Sequence, residues 1–244
     1  MGKDAFKENL KELNIELNNV QMEAFDEYYR TLLEWNEVMN LTAITDYEEV
    51  LLKHYVDSLA INKAIGEVSN WNLNNKIKVI DIGTGAGFPG IPLKIVFDNL
   101  DIVLLDSLNK KVNFLNEVVA KLNLSNIKAI HGRAEDYAKD FSYRESFDLC
   151  VSRAVSNLAT LSEYCLPYVK VGGAFISYKS GEIDAELEES EKAIKMLGGK
   201  ILKVEKMTLP GSTIERSFVI IEKVKKTINI YPRKAGLPAK EPLK

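Results

Sequence analysis

The sequence predicts an α/β protein: a Rossmann-like, doubly wound parallel sheet ending in an antiparallel hairpin, preceded by an N-terminal helical extension. Three observations predict it. From residue 77 onward, short apolar runs alternate with amphipathic segments. A glycine-rich turn follows the first of those runs, and the last two runs have only LPGSTIE (209–215) between them. At 244 residues the chain is long enough for one large α/β domain with a small appendage, and 46% hydrophobic residues can supply its core.

The first seventy residues read as helices. Phe6, Leu10, Leu13, Leu17 and Val20 recur at three- and four-residue steps, and Met22, Phe25, Tyr29, Leu32 and Met39 repeat the pattern. Thr45 and Glu48 have capping-box spacing, which predicts a third helix through Val50, His54 and Leu59. The polar stretch NWNLNN (70–75) is the expected boundary, dividing an extension (1–70) from a sheet domain (71–226) and a basic tail (227–244).

Beyond that boundary, strands are expected at 77–82, 101–106, 127–131, 147–152 and 173–178, with helices at about 90–97, 109–122, 157–169 and 182–197. Apolar strands spaced this way indicate a parallel sheet covered on both faces. The final pair, about 200–208 and 216–224, suits an antiparallel hairpin. A parallel sheet with that ending is the order typical of class I methyltransferases; dinucleotide dehydrogenases usually continue with helical crossovers.

Composition limits the function. No run of 18 or more apolar residues spans a membrane, and MGKDAFKENL has no secretory apolar stretch, so a cytoplasmic protein is expected. Cys150 and Cys165 are too few and too far apart for a disulfide framework or a zinc site, and no metal is expected. The net charge of −3 argues against general nucleic-acid binding, yet it is unevenly spread. Residues 1–70 hold fourteen acids against six bases, whereas 223–244 hold seven bases against Glu241 alone. A basic end on an acidic protein can meet a polyanion on one face; the bland alternative is a solvated tail.

The densest signal is VIDIGTGAGFPGIPL, residues 79–93. Gly83, Gly85 and Gly87 let the backbone turn left-handed and approach a ligand closely where the first strand ends. Gly85, Gly87 and Gly90 also satisfy a dinucleotide fingerprint. Asp81 is expected to set a carboxylate at the mouth of the turn, better matched to an ammonium and a sulfonium than to a pyrophosphate. Asp106, at the end of the second strand, is placed for ribose hydroxyls. After the third strand comes Gly132-Arg133-Ala134-Glu135-Asp136, with acids for an adenine amino group. Any one of these acids could be a helix cap. Three at successive strand ends point instead to S-adenosylmethionine as cofactor.

The residues after the fourth strand, Ser152-Arg153-Ala154-Val155, lack the Asn/Asp-Pro-Pro-aromatic motif typical of exocyclic amine methylation. Cys150 lies in an apolar strand and Cys165 in an amphipathic helix, so neither reads as an activated thiolate. An acceptor needing no deprotonation, such as guanine N7, fits this absence, and catalysis by orientation without a general base is expected. Arg153 suits guanine acceptors, an RNA phosphate or the cofactor carboxylate, and equally an ordinary salt bridge. His54 and Asp57 are candidates for the RNA side of a cleft, although a helical His is commonly a packing residue. Lys179, Arg233 and Lys234 are the candidate phosphate ligands.

Over essentially its full length the chain resembles the bacterial small-subunit rRNA methyltransferase G family, also called glucose-inhibited division protein B. The resemblance rests on Trp35-Asn36 with Asn40-Leu41-Thr42, His54-Tyr55-Val56-Asp57-Ser58-Leu59, DIGTGAGFPGIPLKI, Lys110-Lys111 to Phe114-Leu115, Gly132-Arg133-Ala134-Glu135, Ser152-Arg153-Ala154 and YPRKAGLP from Tyr231. It implies N7-methylation of one guanosine in the decoding region of 16S rRNA. It also implies cofactor contacts at Gly83, Phe88, Ala134, Glu135 and Arg153, with Asp106 at the ribose. The expected partner is 16S rRNA or the small ribosomal subunit, met by a monomer. Rival readings are a small-molecule methyltransferase and a ribosome-assembly protein that uses the fold only for binding.

Overall fold

The computed structural model describes residues 2–66 and 71–244. Helices α1 (Lys3–Lys11) and α2 (Asn19–Asn36) lead to α3 (Tyr47–Val50), a π-helical turn (Leu51–Val56), α4 (Asp57–Leu59) and α5 (Ile61–Ile65). Then β1 (Lys78–Ile82), α6 (Gly90–Val96), β2 (Asp101–Asp106), α7 (Asn109–Lys121), β3 (Ile127–His131), α8 (Ala134–Tyr137) and β4 (Phe147–Ser152) alternate. The chain closes with α9 (Leu158–Cys165), β5 (Val169–Ser180), α10 (Asp184–Met196), β6 (Gly199–Thr208), β7 (Glu215–Lys223) and α11 (Leu237–Lys240). The strand order is β3-β2-β1-β4-β5-β7-β6. β1 to β5 pair in parallel, and β7 runs antiparallel to both β5 and β6.

Alternation along the strands sorts the core into two layers. Val79, Leu104, Leu149 and Val151 join a buried cluster that includes Phe6, Phe25, Tyr28 and Tyr55 of the extension. Ile80, Val103, Leu105 and Cys150 face the opposite cluster, with Leu161 of α9 and Ile194 of α10. The extension therefore shares one core with a face of the sheet. Polar contacts reinforce it: the Tyr28 hydroxyl donates to the Ala86 carbonyl, and Gln21 Nε2 donates to the Ile95 and Val96 carbonyls at 3.0 and 3.1 Å.

Several element ends differ from the sequence expectation. The first helix stops at Lys11, and Asn14 takes a left-handed φ of 59°. Leu13 and Ile15 are nonetheless buried, whereas Val20 belongs to α2 and is exposed. The cap of α3 is Asp46, which accepts from Glu49 N, rather than Thr45. The helix expected to reach 169 ends at Cys165, where Pro167 lies in a short 3-10 turn and β5 begins at once. Of the expected boundary at 70–75, Asn70 lies outside the described residues, while Trp71 and Leu73 are buried in the shared core.

The basic tail is a packed strap. The Arg144 guanidinium donates to the carbonyls of Thr227, Ile228 and Tyr231 at 2.8, 3.3 and 3.0 Å. Thr160 Oγ1 donates to the Pro238 carbonyl at 3.0 Å, and Tyr231 is buried. The solvated-tail alternative is thereby overturned for the backbone, although Lys225, Lys226, Lys234, Lys240 and Lys244 are exposed.

Candidate active site and acceptor cleft

In an open α/β sheet a ligand crevice forms beyond the carboxyl ends of the strands, near the point where strand order reverses. Here β1 neighbours both β2 and β4, and two adjoining cavities open at those ends. The smaller, about 370 Å³, is bounded by Gly83 after β1, Ser107 and Leu108 after β2, Ala134 and Glu135 after β3, and Tyr164 of α9. The larger, about 860 Å³, is bounded by His54 and Asp57 of the extension, Arg153 after β4, Tyr178 and Lys179 of β5, and Arg216 of β7. Ala154 and Ser156 line both.

The glycine turn shapes the smaller cavity. Gly83 has φ +69°, and a Cβ there would point towards Ala154 Cβ at 3.4 Å, across the cavity wall. Gly90 serves packing instead, since a Cβ would overlap Leu104 Cδ2 and sit 3.0 Å from Asp81 Oδ2. Gly85 N donates to Asp106 Oδ2 at 2.9 Å, tying the turn to the end of β2.

Asp81 differs from its expected place at the mouth of the turn. It is fully buried beneath it, where Oδ2 accepts from Thr84 Oγ1 at 2.7 Å and Gly90 N at 2.9 Å. Burial pushes its pKa up to about 7, against the lowering effect of those two hydrogen bonds. Its Oδ1 is buried with no hydrogen-bond partner. The carboxylate buttresses the turn, and any influence on a ligand passes through that turn and through space.

The other acids are also partly committed. Asp106 Oδ1 accepts from Leu108 N at 2.9 Å and Oδ2 from Gly85 N, leaving further lone pairs on each oxygen. Glu135 is buried at the cavity wall, where Oε1 accepts from Gly236 N of the strap at 2.7 Å. Gly83, Ala134 and Glu135 thus line one cavity.

Phe88 and Arg153 lie on the other side. The Phe88 ring stacks on His54 with centroids 4.4 Å apart, and the Arg153 guanidinium sits 5.0 Å from the Phe88 centroid. Phe88 lines neither cavity. His54 is buried, with Nε2 2.9 Å from Thr42 Oγ1 and Nδ1 3.3 Å from Arg153 Nη2. Burial, and then the Arg153 charge, push its pKa down to about 3. The ring is therefore neutral at physiological pH. It packs and positions; it offers no cation to RNA.

Two phosphate candidates are corrected for a similar reason. Arg233 grips Glu163, whose side chain has no solvent exposure, with Nη2 2.7 Å from Oε2 and Nε 2.9 Å from Oε1. Lys179 lines the larger cavity, but its Nζ is held by Glu186 Oε1 at 2.6 Å and the Ser156 carbonyl at 2.5 Å. Lys234 remains exposed. Cys150 and Cys165 are both buried, and burial holds the Cys150 thiol well above its usual pKa, so it is protonated. Arg216 escaped sequence reasoning, because its partner Asp57 lies 159 positions away. Ser107, next to Asp106, could have been read from its place at a strand end.

The strand order, the glycine turn and the paired cavities define the class: a class I methyltransferase fold. The solved structure of M. jannaschii TYW2 in complex with AdoMet shares this fold at 16% identity, with TM-score 0.51 over 69% of this chain and 77% of that one. A branched-chain polyamine synthase mutein from Thermus thermophilus aligns at 12% identity and TM-score 0.53, over 70% and 56%. The family model for rRNA small subunit methyltransferase G (GidB) matches residues 21–219. Ribosomal RNA small subunit methyltransferase G of Lachnoclostridium phytofermentans is 51% identical over 98% of this chain and 96% of its own length. That of Brevibacillus brevis is 49% identical over the whole of both. The chain belongs to the rRNA small subunit methyltransferase G family.

Proposed function

We propose that the protein transfers a methyl group from S-adenosylmethionine to N7 of a guanosine in the decoding region of 16S rRNA, acting on the rRNA or the small ribosomal subunit. The observation that carries this reading is the pair of cavities that share Ala154 and Ser156 beyond the carboxyl ends of the strands. The smaller cavity suits the cofactor. Gly83 leaves room for close approach, Ser107 lines the wall next to Asp106, which would serve the ribose hydroxyls, and Glu135 would serve the adenine side. When bound there, S-adenosylmethionine supplies an electrophilic methyl group.

The larger cavity suits the acceptor nucleotide, with Arg153 at its wall. Guanine N7 carries an available lone pair, so the protein needs only to hold it in line. Orientation of this kind contributes roughly 7–11 kcal/mol of barrier lowering. With its pKa near 3, His54 is too weak a base to take a proton, and Cys150 is held as the thiol, which fits an acceptor that requires neither base nor nucleophile.

Calorimetry tests the cofactor, and a transfer assay tests the acceptor. The expected result is saturable S-adenosylmethionine binding without NAD binding, and transfer to rRNA but not to free guanosine. Transfer to free guanosine alone would support a small-molecule enzyme, and binding to rRNA without any transfer would support an assembly role.

A further inference from the structure

The C-terminal strap backs one wall of the smaller cavity. Leu161 and Tyr164 of α9 line that wall, together with Ala134 and Glu135. Behind it, Arg233 grips Glu163, and the Pro238 carbonyl accepts from Thr160 Oγ1 at 3.0 Å. Thr160 and Glu163 are both residues of α9. Between these two anchors the strap makes a turn, closed by Leu237 N donating to the Lys234 carbonyl at 3.0 Å. Gly236 has φ +81° and ψ −13°, the values of the third residue in a type II turn. The N–H of that residue takes no part in the turn's own bond. Here it donates to Glu135 Oε1 at 2.7 Å, 101 positions away.

A Cβ at Gly236 would have nothing within 4 Å, so packing does not require this glycine; the left-handed backbone does. Among the described residues, Gly236 N is the one donor to the buried Glu135 carboxylate, whose second oxygen keeps its lone pairs. The backbone beside it is held separately, since the Tyr168 hydroxyl donates to the Ala134 carbonyl at 2.6 Å. Loop and side chain therefore have different supports: Tyr168 holds the loop, and the strap holds the carboxylate. The direction of a carboxylate matters most to a donor fixed in a plane, because a hydrogen bond weakens steeply below about 120°. The exocyclic amino group of adenine is such a donor.

We propose that Gly236 is a positioning residue: its N–H aims the Glu135 carboxylate at the adenine amino group of the cofactor, so the strap sets selectivity for adenine. This rests on the reading of the smaller cavity as the cofactor site. Linkage makes the effect reciprocal, so a ligand that carries the amino group also holds the strap down.

The test uses calorimetry on the full-length protein with two ligands: S-adenosylhomocysteine, and its analogue with hydrogen in place of the 6-amino group. Wild type should prefer the amino compound about tenfold, the worth of one hydrogen bond to a charged group. Gly236→Pro deletes the N–H and cannot take a positive φ, so it should cut the preference below about twofold. Gly236→Asn keeps the donor, and Asn tolerates the left-handed turn, so the preference should survive. Glu135→Ala should lose the preference, and adding Gly236→Pro should reduce it no further. If Gly236→Pro weakens both ligands equally, the strap has a packing role only and the proposal is overturned. An intact preference with unchanged affinities overturns it too. Equal binding of the two ligands by wild type, or a preference retained in Glu135→Ala, rejects the adenine contact of Glu135 and the proposal with it. Binding of neither ligand by wild type rejects the cofactor-site reading itself. Should Gly236→Pro fail to fold, amide exchange in the wild type decides. At saturation S-adenosylhomocysteine should slow exchange across residues 234–241 about tenfold more than the analogue does, and equal protection by both overturns the proposal.

Discussion

Arg233 is locked to Glu163: the guanidinium makes three bonds to the carboxylate, between 2.7 and 3.1 Å, and the backbone N–H of Arg233 makes a fourth at 2.8 Å. Glu163 lies on α9, with its side chain wholly removed from solvent. The residue expected to reach RNA instead fastens the C-terminal strap beside the smaller cavity.

Truncating Arg233 should therefore cost stability and leave RNA affinity almost untouched. Arg233→Ala leaves Glu163 charged and buried, and about 3 kcal/mol is expected, the lower end of the range for breaking a buried pair because the arginine is partly exposed. Thermal unfolding checks the loss. The salt dependence of rRNA binding should not change for Arg233→Ala, whereas Lys234→Ala should flatten it.

Tyr28 links the extension to the glycine turn through its bond to the Ala86 carbonyl. In Tyr28→Phe that carbonyl loses its donor, so stability should fall by about 1–3 kcal/mol. The turn also loses its support from α2, so S-adenosylmethionine affinity should fall with it. Calorimetry on the folded variant reports the second effect, and unchanged affinity would confine Tyr28 to packing.

Gly83 makes a sharper test of the cavity wall. A β-branched residue at φ +69° is strained, by at least about 1–2 kcal/mol, and its side chain would project towards Ala154. Gly83→Val should retain a cooperative melt yet lose at least about tenfold in S-adenosylmethionine affinity. Full affinity would place the cofactor elsewhere.

His54 gives the protein a pH signature. Its folded pKa of about 3 lies below its ordinary 6.5, so between those values the unfolded chain binds a proton that the folded chain does not. Stability from this group is complete above pH 6.5 and falls as pH drops through the window, by up to about 1.4 kcal/mol per unit. Asp81 works in the opposite sense: with its pKa raised to about 7, it favours the folded state at lower pH. Comparing His54→Gln with wild type cancels the Asp81 contribution. The variant should lose less stability between pH 6.5 and 5 in denaturant titrations, and equal slopes would refute the buried neutral imidazole.

The sheet was legible because buried parallel strands read as largely apolar runs, and IKVIDI and DIVLLD show no regular apolar–polar alternation. The gathering of Gly83, Ala134 and Glu135 round one cavity was legible because all three follow strand ends. Side-chain direction was not legible. Nothing local in the turn says that Asp81 points inward to hold Thr84 and Gly90, or that Arg233 turns back to Glu163 seventy positions earlier. The cavity beyond β4 was the least legible part, since Asp57 and Arg216 become neighbours only when the extension and the hairpin pack on the same sheet.

The central claim is a division of the cleft into a cofactor cavity and an acceptor cavity that presents guanine N7. Mass mapping of 16S rRNA, incubated as naked RNA and as small subunit with the purified protein and S-adenosylmethionine, tests it most directly. One N7-methylguanosine in the decoding region, absent with Gly83→Val, is the predicted result. A methyl group on an exocyclic amine, a pyrimidine carbon or a ribose would contradict it.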